Sequence, residues 1–329
     1  EFRRVLFRSL VNGTVLSEKG APTQVGSGVF AEDFIFAEGA SVDSGAVLTK
    51  VFIGQASKVG RQFSAENTML FANCEGFHSE AVAMFGGPYS VTHHRSTLLI
   101  AGVYSFYNAG SGTNQSNHMY KLGPLHQGTL ERGSKTGSFS YLLWPCVVSP
   151  FSVVIGKNMA NFDISEFPFS YVTAEEDGSY LTPAMNMFTV GTARDGAKWP
   201  ARDKRKASVK RDKIRFEVFS PYTVGRMLQG EETLSRLHKE TEKSRDVVRY
   251  KGITIKRLLL RTGAKNYTQA IDRYLAEKIV ERAQPVLSSG ADAMRKAFAV
   301  DSGAVYSKEW SDISGLLIGL ERLRQIEDE

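Results

Sequence analysis

Residues 29–60 read VFAEDFIFAEGASVDSGAVLTKVFIGQASKVG, and an apolar side chain returns in them every six positions. The positions in this phase are Val29, Ile35, Ser41, Val47, Ile53, Val59, Ala65, Phe71, Phe77 and Ala83. All of them except Ser41 are apolar, and Gly54 and Gly60 directly follow two of them. Such self-similarity at a fixed period is the sequence signature of a repeat architecture.

A six-residue unit is long enough for one short strand and one corner, and three such units close a triangular coil. One apolar residue per unit then points to the axis, and stacked coils bury these residues in a continuous ladder. Backbone hydrogen bonds run from coil to coil, so that only the two end coils have unpaired strands. Small residues near the corners allow tight turns. The sequence therefore predicts a parallel β-helix.

This pattern resembles the hexapeptide-repeat superfamily, whose fold is a left-handed parallel β-helix. The left hand is an exception to the usual right-handed crossover, and it is implied by the resemblance alone. We therefore expect a mainly β chain, in which a hexapeptide-repeat solenoid carries an inserted His-rich loop and is followed by a helical C-terminal region.

The 329 residues are enough for one large or two medium domains, and the hydrophobic share of 42% is ordinary for a folded protein. The only two cysteines, Cys74 and Cys146, predict a reducing, cytoplasmic location without a disulfide framework. No apolar run reaches the roughly 18 residues that a membrane-spanning helix needs. We therefore expect no membrane partner.

The chain begins EFRRVLFRS at residues 1–9, without an initiator Met and without the features of a signal peptide. This tract resembles a translated sequencing adapter. We therefore expect residues 1–9 to be non-native and the native chain to continue upstream.

Changes in pattern divide the remainder of the chain. We expect a β-helix over residues 10–193 with a loop inserted at about 86–128, because the repeat stops near Pro88 and returns in a new phase at Leu142. A basic linker is expected over 194–220. Apolar residues three and four apart predict an α-helical region over 221–329.

The positive charge of the chain is concentrated in one segment. Residues 194–215 contain ten Lys or Arg and three Asp, a net of +7, whereas the whole chain carries +6. The segment has no recognised nucleic-acid-binding motif and only Trp199 among its basic residues. We expect it to be a linker, or a clamp on an anionic substrate or a neighbouring subunit, and we expect no nucleic-acid partner.

The histidines are also concentrated, since five of the six lie between residues 78 and 126. They are His78, His93, His94, His118 and His126. Three hypotheses stay open for them. One histidine could act as a general base, three could bind a divalent metal that activates water, or all could satisfy buried backbone groups.

The resemblance implies a function for this window. Hexapeptide-repeat proteins are often acyltransferases that use acyl-CoA, or the acetyltransferase half of sugar-nucleotide pyrophosphorylases, and they form trimers with a His base between neighbouring solenoids. It implies acyl transfer from acyl-CoA to a small molecule such as a sugar or sugar nucleotide, with His118 or His126 as the base. The residues expected to bind substrate are Asn114, Asn117, Gln127, His93, His94, Tyr120 and Lys121. Backbone N–H groups near Gly123 or Gly128 would stabilise the oxyanion.

Two other functions stay open. The chain could be a non-catalytic oligomeric scaffold, or it could resemble the carbonic-anhydrase-like hexapeptide proteins, which hold a metal between subunits. The candidate metal ligands would then be His78, His94, His118 and His126.

A second resemblance rests on three stretches in and around the histidine window. They are Phe85-Gly86-Gly87-Pro88-Tyr89, Thr92-His93-His94 and residues 118–128, HMYKLGPLHQG. They are similar to an uncharacterised bacterial family, a domain of unknown function loosely labelled nucleotidyltransferase-like or hexapeptide-transferase-like. This resemblance covers residues 10 to 325 and implies a fold but no activity.

Overall fold

A computed structural model describes residues 7–116, 126–299, 309–313 and 315–329. In chain order, the strands of the first part are β1 (Ser9–Val15), β2 (Gln24–Val25), β3 (Phe30–Phe36), β4 (Ser41–Val42), β5 (Val47–Ile53), β6 (Lys58–Gly60), β7 (Ser64–Leu70), β8 (Glu75–Phe77), β9 (Ser79–Val82), β10 (Phe85–Gly86), β11 (Val91–Thr92), β12 (Thr97–Ile100), β13 (Gly102–Tyr104), β14 (Asn108–Ala109), β15 (Asn114–Ser116), β16 (Gly128–Leu130), β17 (Lys135–Thr136), β18 (Tyr141–Leu143), β19 (Cys146–Val148), β20 (Val153–Ile155), β21 (Lys157–Asn158), β22 (Phe162–Asp163), β23 (Tyr171–Glu175) and β24 (Gly178–Thr182). All of them pair in parallel from coil to coil except the final hairpin, β23 with β24. The predicted β-helix is confirmed.

The coil has three sides. The long strands β1, β3, β5 and β7 each supply two sides, because each bends in the middle at a residue with positive φ: Asn12, Asp33, Lys50 and Asn67 respectively. The first side continues through β9, β12, β15, β18 and β21, and the second through β10, β13, β16, β19 and β22. The third side is the row β2, β4, β6, β8, β11, β14, β17, β20 and β23.

The early coils are slightly shorter than three hexapeptides. On the third side Ser41 pairs with Lys58 and Lys58 with Glu75, so that each of these coils falls one position short of three six-residue units. A strict six-residue spacing therefore drifts from the inner to the outer face, because neighbouring residues of a strand point to opposite faces. The predicted ladder is accordingly wrong in part: Ile53 and Val59 are buried, whereas Ile35 and Val47 are 45% and 51% exposed.

The core consists of ladders that follow the pairing of successive coils. Phe36, Ile53 and Leu70 occupy equivalent inward positions on successive coils, and all three are buried. Gly54 follows the second of them, and a Cβ there would lie 2.6 Å from the backbone carbon of Phe71 on the next coil. Close stacking of the coils therefore requires glycine at this position.

The inserted loop is shorter than the sequence predicted. Residues 86–116 contain the regular strands β10 to β15, so the predicted insertion at 86–128 is wrong over that part. The coil that begins at Asn108 is much longer than the coil before it. Val91 pairs with Asn108 on the following coil, whereas Asn108 pairs with the more distant Lys135. The extra length falls between β15 and β16, and residues 117–125 of it lie outside the described residues.

The C-terminal region combines helices with two hairpins. Its elements are α1 (Val190–Ala201), α2 (Pro221–Glu240), β25 (Val247–Tyr250), β26 (Ile253–Lys256), α3 (Arg257–Ala283), α4 (Ala291–Ala297), β27 (Trp310–Ile313), β28 (Leu316–Gly319) and α5 (Leu320–Asp328), with short 3₁₀ turns at Met185–Phe188 and Gln284–Val286. The predicted helical C-terminal region is confirmed, and two hairpins, β25 with β26 and β27 with β28, lie between its helices. Strand β26 extends the third side by pairing with β24. No helix in the described part of the chain is long and apolar enough to cross a membrane.

The basic segment is not a free linker. Its beginning forms α1, and residues 202–219, which we call the strap, run back along the solenoid without helix or strand. The Ser208 hydroxyl donates to Glu18 at 2.9 Å, Arg211 pairs with Glu38 at 2.5 Å, and the Asp212 carboxylate accepts from the Ala72 amide at 2.7 Å. Acidic and backbone groups of the solenoid thus hold the strap.

Candidate functional site

A cleft of about 480 Å³ lies between the third side of the solenoid and the α1–strap segment. The solenoid lines it with Ala56, Asn73, Glu75, Tyr89, Val91, His93, Phe106, Asn108 and Lys135, and the other wall consists of Asp195, Trp199, Arg202 and Lys204. Its volume falls in the ordinary range for small-molecule sites. It joins an apolar floor to convergent polar groups, which makes it the candidate functional site.

The aromatic floor joins the two walls of the cleft. Phe106 packs against Trp199 of α1 with ring centroids 4.5 Å apart, and it stacks on Tyr89 at 5.3 Å. The Tyr89 hydroxyl donates to the Trp199 carbonyl at 3.1 Å. These three side chains are buried, so they fix α1 against the solenoid and leave the polar groups around them to meet a ligand.

A histidine–carboxylate pair stands at the edge of the cleft. Strands β8 and β11 are neighbours in which Glu75 pairs with Val91, and this register places His93 beside Phe77. The His93 ring stacks on Phe77 at 5.7 Å, and its Nε2 lies 2.5 Å from Glu75 Oε2. Two contacts therefore orient an imidazole whose side chain is still 44% exposed.

The charge of Glu75 determines which nitrogen of His93 carries the proton. The hydrogen bond from His93 lowers the pKa of Glu75 and outweighs its partial burial, and Lys204 acts in the same direction. An ionised carboxylate can only accept hydrogen bonds. Nε2 is therefore the protonated nitrogen, and in the neutral ring Nδ1 keeps its lone pair free to accept a proton.

Three cations enter the same cleft. Lys135 contacts Asp195 directly, and the Lys204 ammonium lies 3.9 Å from Glu75. The third, Arg202, is exposed and its guanidinium contacts no carboxylate within the described ranges. Against the two carboxylates of the cleft these three cations leave a net charge of +1.

A buried polar cluster fixes the beginning of the strap. The Asn73 side chain accepts from the Lys204 amide at 2.9 Å and donates to Asp203 at 3.1 Å. Arg205, whose side chain is only 4% exposed, donates two hydrogen bonds of 2.9 Å to the Asp203 carboxylate. These bonds hold the pKa of Asp203 well below its usual range. The backbone between Arg202 and Arg205 is thereby anchored to the solenoid.

The structure places the residues predicted from the sequence in different parts of the molecule. The predicted base His118 and the predicted substrate ligands Asn117, Tyr120 and Lys121 lie outside the described residues. The other predicted base, His126, is partly buried just before β16 and is not among the residues that line the cleft.

The remaining predicted ligands also separate. Only His93 lines the cleft, while its neighbour His94 is exposed. Asn114 lies in β15, on the first side, and Gln127 is exposed. The prediction of an oxyanion donor at Gly128 is wrong, because the N–H of that residue donates to the Ala101 carbonyl at 3.0 Å.

The predicted metal site is not assembled by the described residues, which contain no group of three or more His, Cys, Asp or Glu able to hold a metal ion. Of its candidates, His78 lies at a coil corner with φ of 55° and His94 is exposed, whereas His118 lies outside the described residues.

Sequence reasoning assigned no site role to Glu75, Lys135 or Asp195, and it included Arg202 and Lys204 only within the basic segment, which it predicted to be a linker or a clamp. A signal for the first existed: Glu75 precedes His93 by close to the length of one coil, so that a coil-length search would have placed the two on neighbouring strands. The α1–strap residues could not be found in this way, because their position depends on how that segment folds back.

Comparison with known proteins gives a family but no activity. The profile of a family described as Domain of unknown function (DUF4954) matches residues 6–238, more than half of the chain. No curated protein matches. Among solved structures, an Arabidopsis UDP-N-acetylglucosamine acyltransferase is similar, with 10% identity, coverage of 71% of this chain and 86% of that chain, and a TM-score of 0.22. At that score the likeness carries no argument about function.

Proposed function

Because the chain belongs to the DUF4954 family, whose function its description leaves open, we propose a function from the cleft itself: group transfer to a polar metabolite, with His93 as general base. The oriented His93–Glu75 pair is the observation that carries this proposal. Family membership agrees with the second resemblance seen in the sequence, whereas the nucleotidyltransferase label has no support.

The proposed reaction is acyl transfer from acyl-CoA to a hydroxyl or amine. As the acceptor attacks the thioester carbonyl, Nδ1 of His93 takes the acceptor proton. The tetrahedral intermediate then expels the CoA thiolate, which recovers a proton from the imidazolium. Glu75 holds the ring in the reactive tautomer and stabilises its positive charge, as a carboxylate does in other catalytic dyads.

The cleft supports this reaction in two respects. Its volume of about 480 Å³ suits an acceptor of the size of a sugar rather than a macromolecule. Its polar residues Asn108 and Lys135 stand on the two coils that follow His93 along the third side, where they can bind hydroxyl groups. The proposed base thus differs from His118 and His126, which the hexapeptide resemblance implied.

The experiment is a thiol-release assay with acetyl-CoA and a panel of amino sugars, sugars and sugar nucleotides. His93→Ala is expected to lower turnover by about 10²-fold or more, the usual contribution of a general base. His94→Ala is the matched control, since this exposed neighbour does not line the cleft, and it should stay within about twofold of the wild type. Equal activity of the two variants would refute the assignment.

A second proposal concerns self-association, which a scaffold function would need. Five outward residues form one row on the second side, on successive coils. They are Ile35, Phe52, Met69, Phe85 and Val103, of which the first, third and fifth are 39–45% exposed. A continuous apolar row on a sheet face is typical of an interaction surface. We propose that it joins copies of the chain into a homo-oligomer, for which a trimer is our expectation.

Light scattering tests this second proposal. Met69→Asp, in the centre of the row, should reduce the mass in solution to that of a monomer. Leu258→Asp is the control, because it makes the same change at a side chain 70% exposed on α3. If the wild type is already a monomer, the self-association proposal is wrong.

A further inference from the structure

We infer that the cleft selects a substrate that carries an oxyanion, a phosphate or a carboxylate, and that Arg202 and Lys204 bind this group. The inference rests on the proposed function in that it names the substrate class of the same cleft. It depends on the cleft residues that α1 and the strap contribute, which take no part in the proposed general-base step.

The charged side chains that line the cleft sum to +1. Glu75 and Asp195 are already engaged, by His93 and Lys135 respectively, and this leaves Arg202 as an exposed cation without a carboxylate partner among the described residues. A guanidinium has planar donors that match the two oxygens of a carboxylate or a phosphate. The nearby Lys204 ammonium has only a 3.9 Å contact with Glu75, so it can turn to the same ligand.

The backbone that carries the two cations is anchored by hydrogen bonds and an ion pair. Arg202 and Lys204 flank Asp203, which is 11% exposed and is held by Asn73 from the solenoid and by the buried Arg205. The Lys204 backbone is bound by Asn73 as well. The backbone that carries the two cations is therefore fixed before any ligand arrives, which reduces the ordering cost of binding.

One coil of the solenoid contacts both the strap and the proposed base. Asn73 and Glu75 are two residues apart on one coil. Asn73 binds the strap, and Glu75 orients His93. Lys204 is therefore bound to the coil that orients the proposed base, and Arg202 lines the same cleft. An oxyanion on Arg202 would leave the other end of a sugar-sized ligand inside the cleft that His93 also lines.

Calorimetric titration of the full chain tests the inference with three probes: glucosamine 6-phosphate, glucuronate and uncharged N-acetylglucosamine. We expect one or both of the charged probes to bind more tightly than the neutral sugar, and Arg202→Gln to weaken that binding about tenfold or more. Lys213→Gln is the matched control, because it removes one charge from an exposed strap residue outside the cleft, and it should change affinity less than twofold. The charged probe whose binding is weakened by Arg202→Gln identifies the bound group as a phosphate or a carboxylate.

Three results would overturn the inference: equal losses in the two variants, equal binding of charged and neutral probes, or no binding of either charged probe. His93→Ala separates this inference from the proposed function. If the anion site is correct, His93→Ala still binds the charged probe within about threefold of the wild type, whether or not acyl transfer is ever found.

Discussion

Replacement of Glu131 by Gln should make the protein more stable at pH 8 and nearly unchanged at pH 4. Glu131 follows β16, and its side chain is 10% exposed. It accepts a hydrogen bond from the Tyr222 hydroxyl at 2.7 Å and lies 3.4 Å from the Arg226 guanidinium, both on α2. Burial dominates these contacts and raises the pKa of Glu131 to about 7.

The sign of the effect follows from the direction of this shift. Between the ordinary carboxyl pKa of 4.5 and about 7, the folded chain binds a proton that the unfolded chain has released. Stability therefore falls as pH rises through this window and is lowest above it. At 1.36 kcal/mol for each pKa unit, the full difference is about 3 kcal/mol, which is an upper limit because Arg226 and Tyr222 can adjust.

Urea unfolding at pH 4, 6 and 8 measures this effect. The wild type should lose up to about 3 kcal/mol between pH 4 and pH 8 through Glu131, and Glu131→Gln should remove this loss, because the amide fills the same space without a charge. The exposed Glu32 on β3 supplies the control, and Glu32→Gln should keep the wild-type pH dependence. If Glu131→Gln is equally or more destabilised at pH 8 than at pH 4, the carboxylate stabilises the fold and the reasoning fails.

Two further predictions concern packing and the strap. Gly128→Ala should destabilise the fold by about 2 kcal/mol or more in urea unfolding, because its Cβ would lie 2.2 Å from the ring of the buried Trp144. Gly225→Ala in α2 is the control: it meets nothing within 4 Å and should stabilise by about 0.5 kcal/mol, so a similar loss in both would contradict the packing account. Arg211→Gln should destabilise the fold only slightly at pH 7, because its side chain is half exposed and solvent screens the ion pair. Arg211 lowers the pKa of Glu38 from 4.5 to about 2, so this difference should be present above pH 4.5 and be lost as pH falls through about 2; a difference of undiminished size at pH 2 would show that the pair does not act through charge.

The sequence predicted the architecture but not its register. Short apolar spacing with glycines between strands is enough to indicate a solenoid, and the β-helix followed from it. The six-residue period nevertheless mislocated Ile35 and Val47, because the coil falls short of three hexapeptides and its sides are unequal. The sequence of a single coil does not reveal that the coil is shorter than three hexapeptides, because the coil length depends on how successive coils stack.

The site was less accessible to sequence reasoning for a physical reason. A cluster of histidines marks a region, yet His93 is the only one of the described histidines that lines the cleft. The residues that complete the cleft, Asp195, Arg202 and Lys204, come from a segment much later in the chain. Their position beside the solenoid depends on the packing of Trp199 against Phe106 and on the hydrogen bonds of Asp203, and no local sequence pattern predicts these contacts.

The most direct test of the central claim is the protonation state of His93, measured by two-dimensional ¹H–¹⁵N NMR of the imidazole at pH 8, since it requires no knowledge of the substrate. We predict that the Nε2–H of His93 is hydrogen-bonded to Glu75 in the wild type, seen as a downfield and slowly exchanging proton signal, and that this signal is lost in Glu75→Ala. A proton on Nδ1 in the wild type, or an Nε2–H signal unchanged in Glu75→Ala, would show that Glu75 does not orient His93 and would contradict the account.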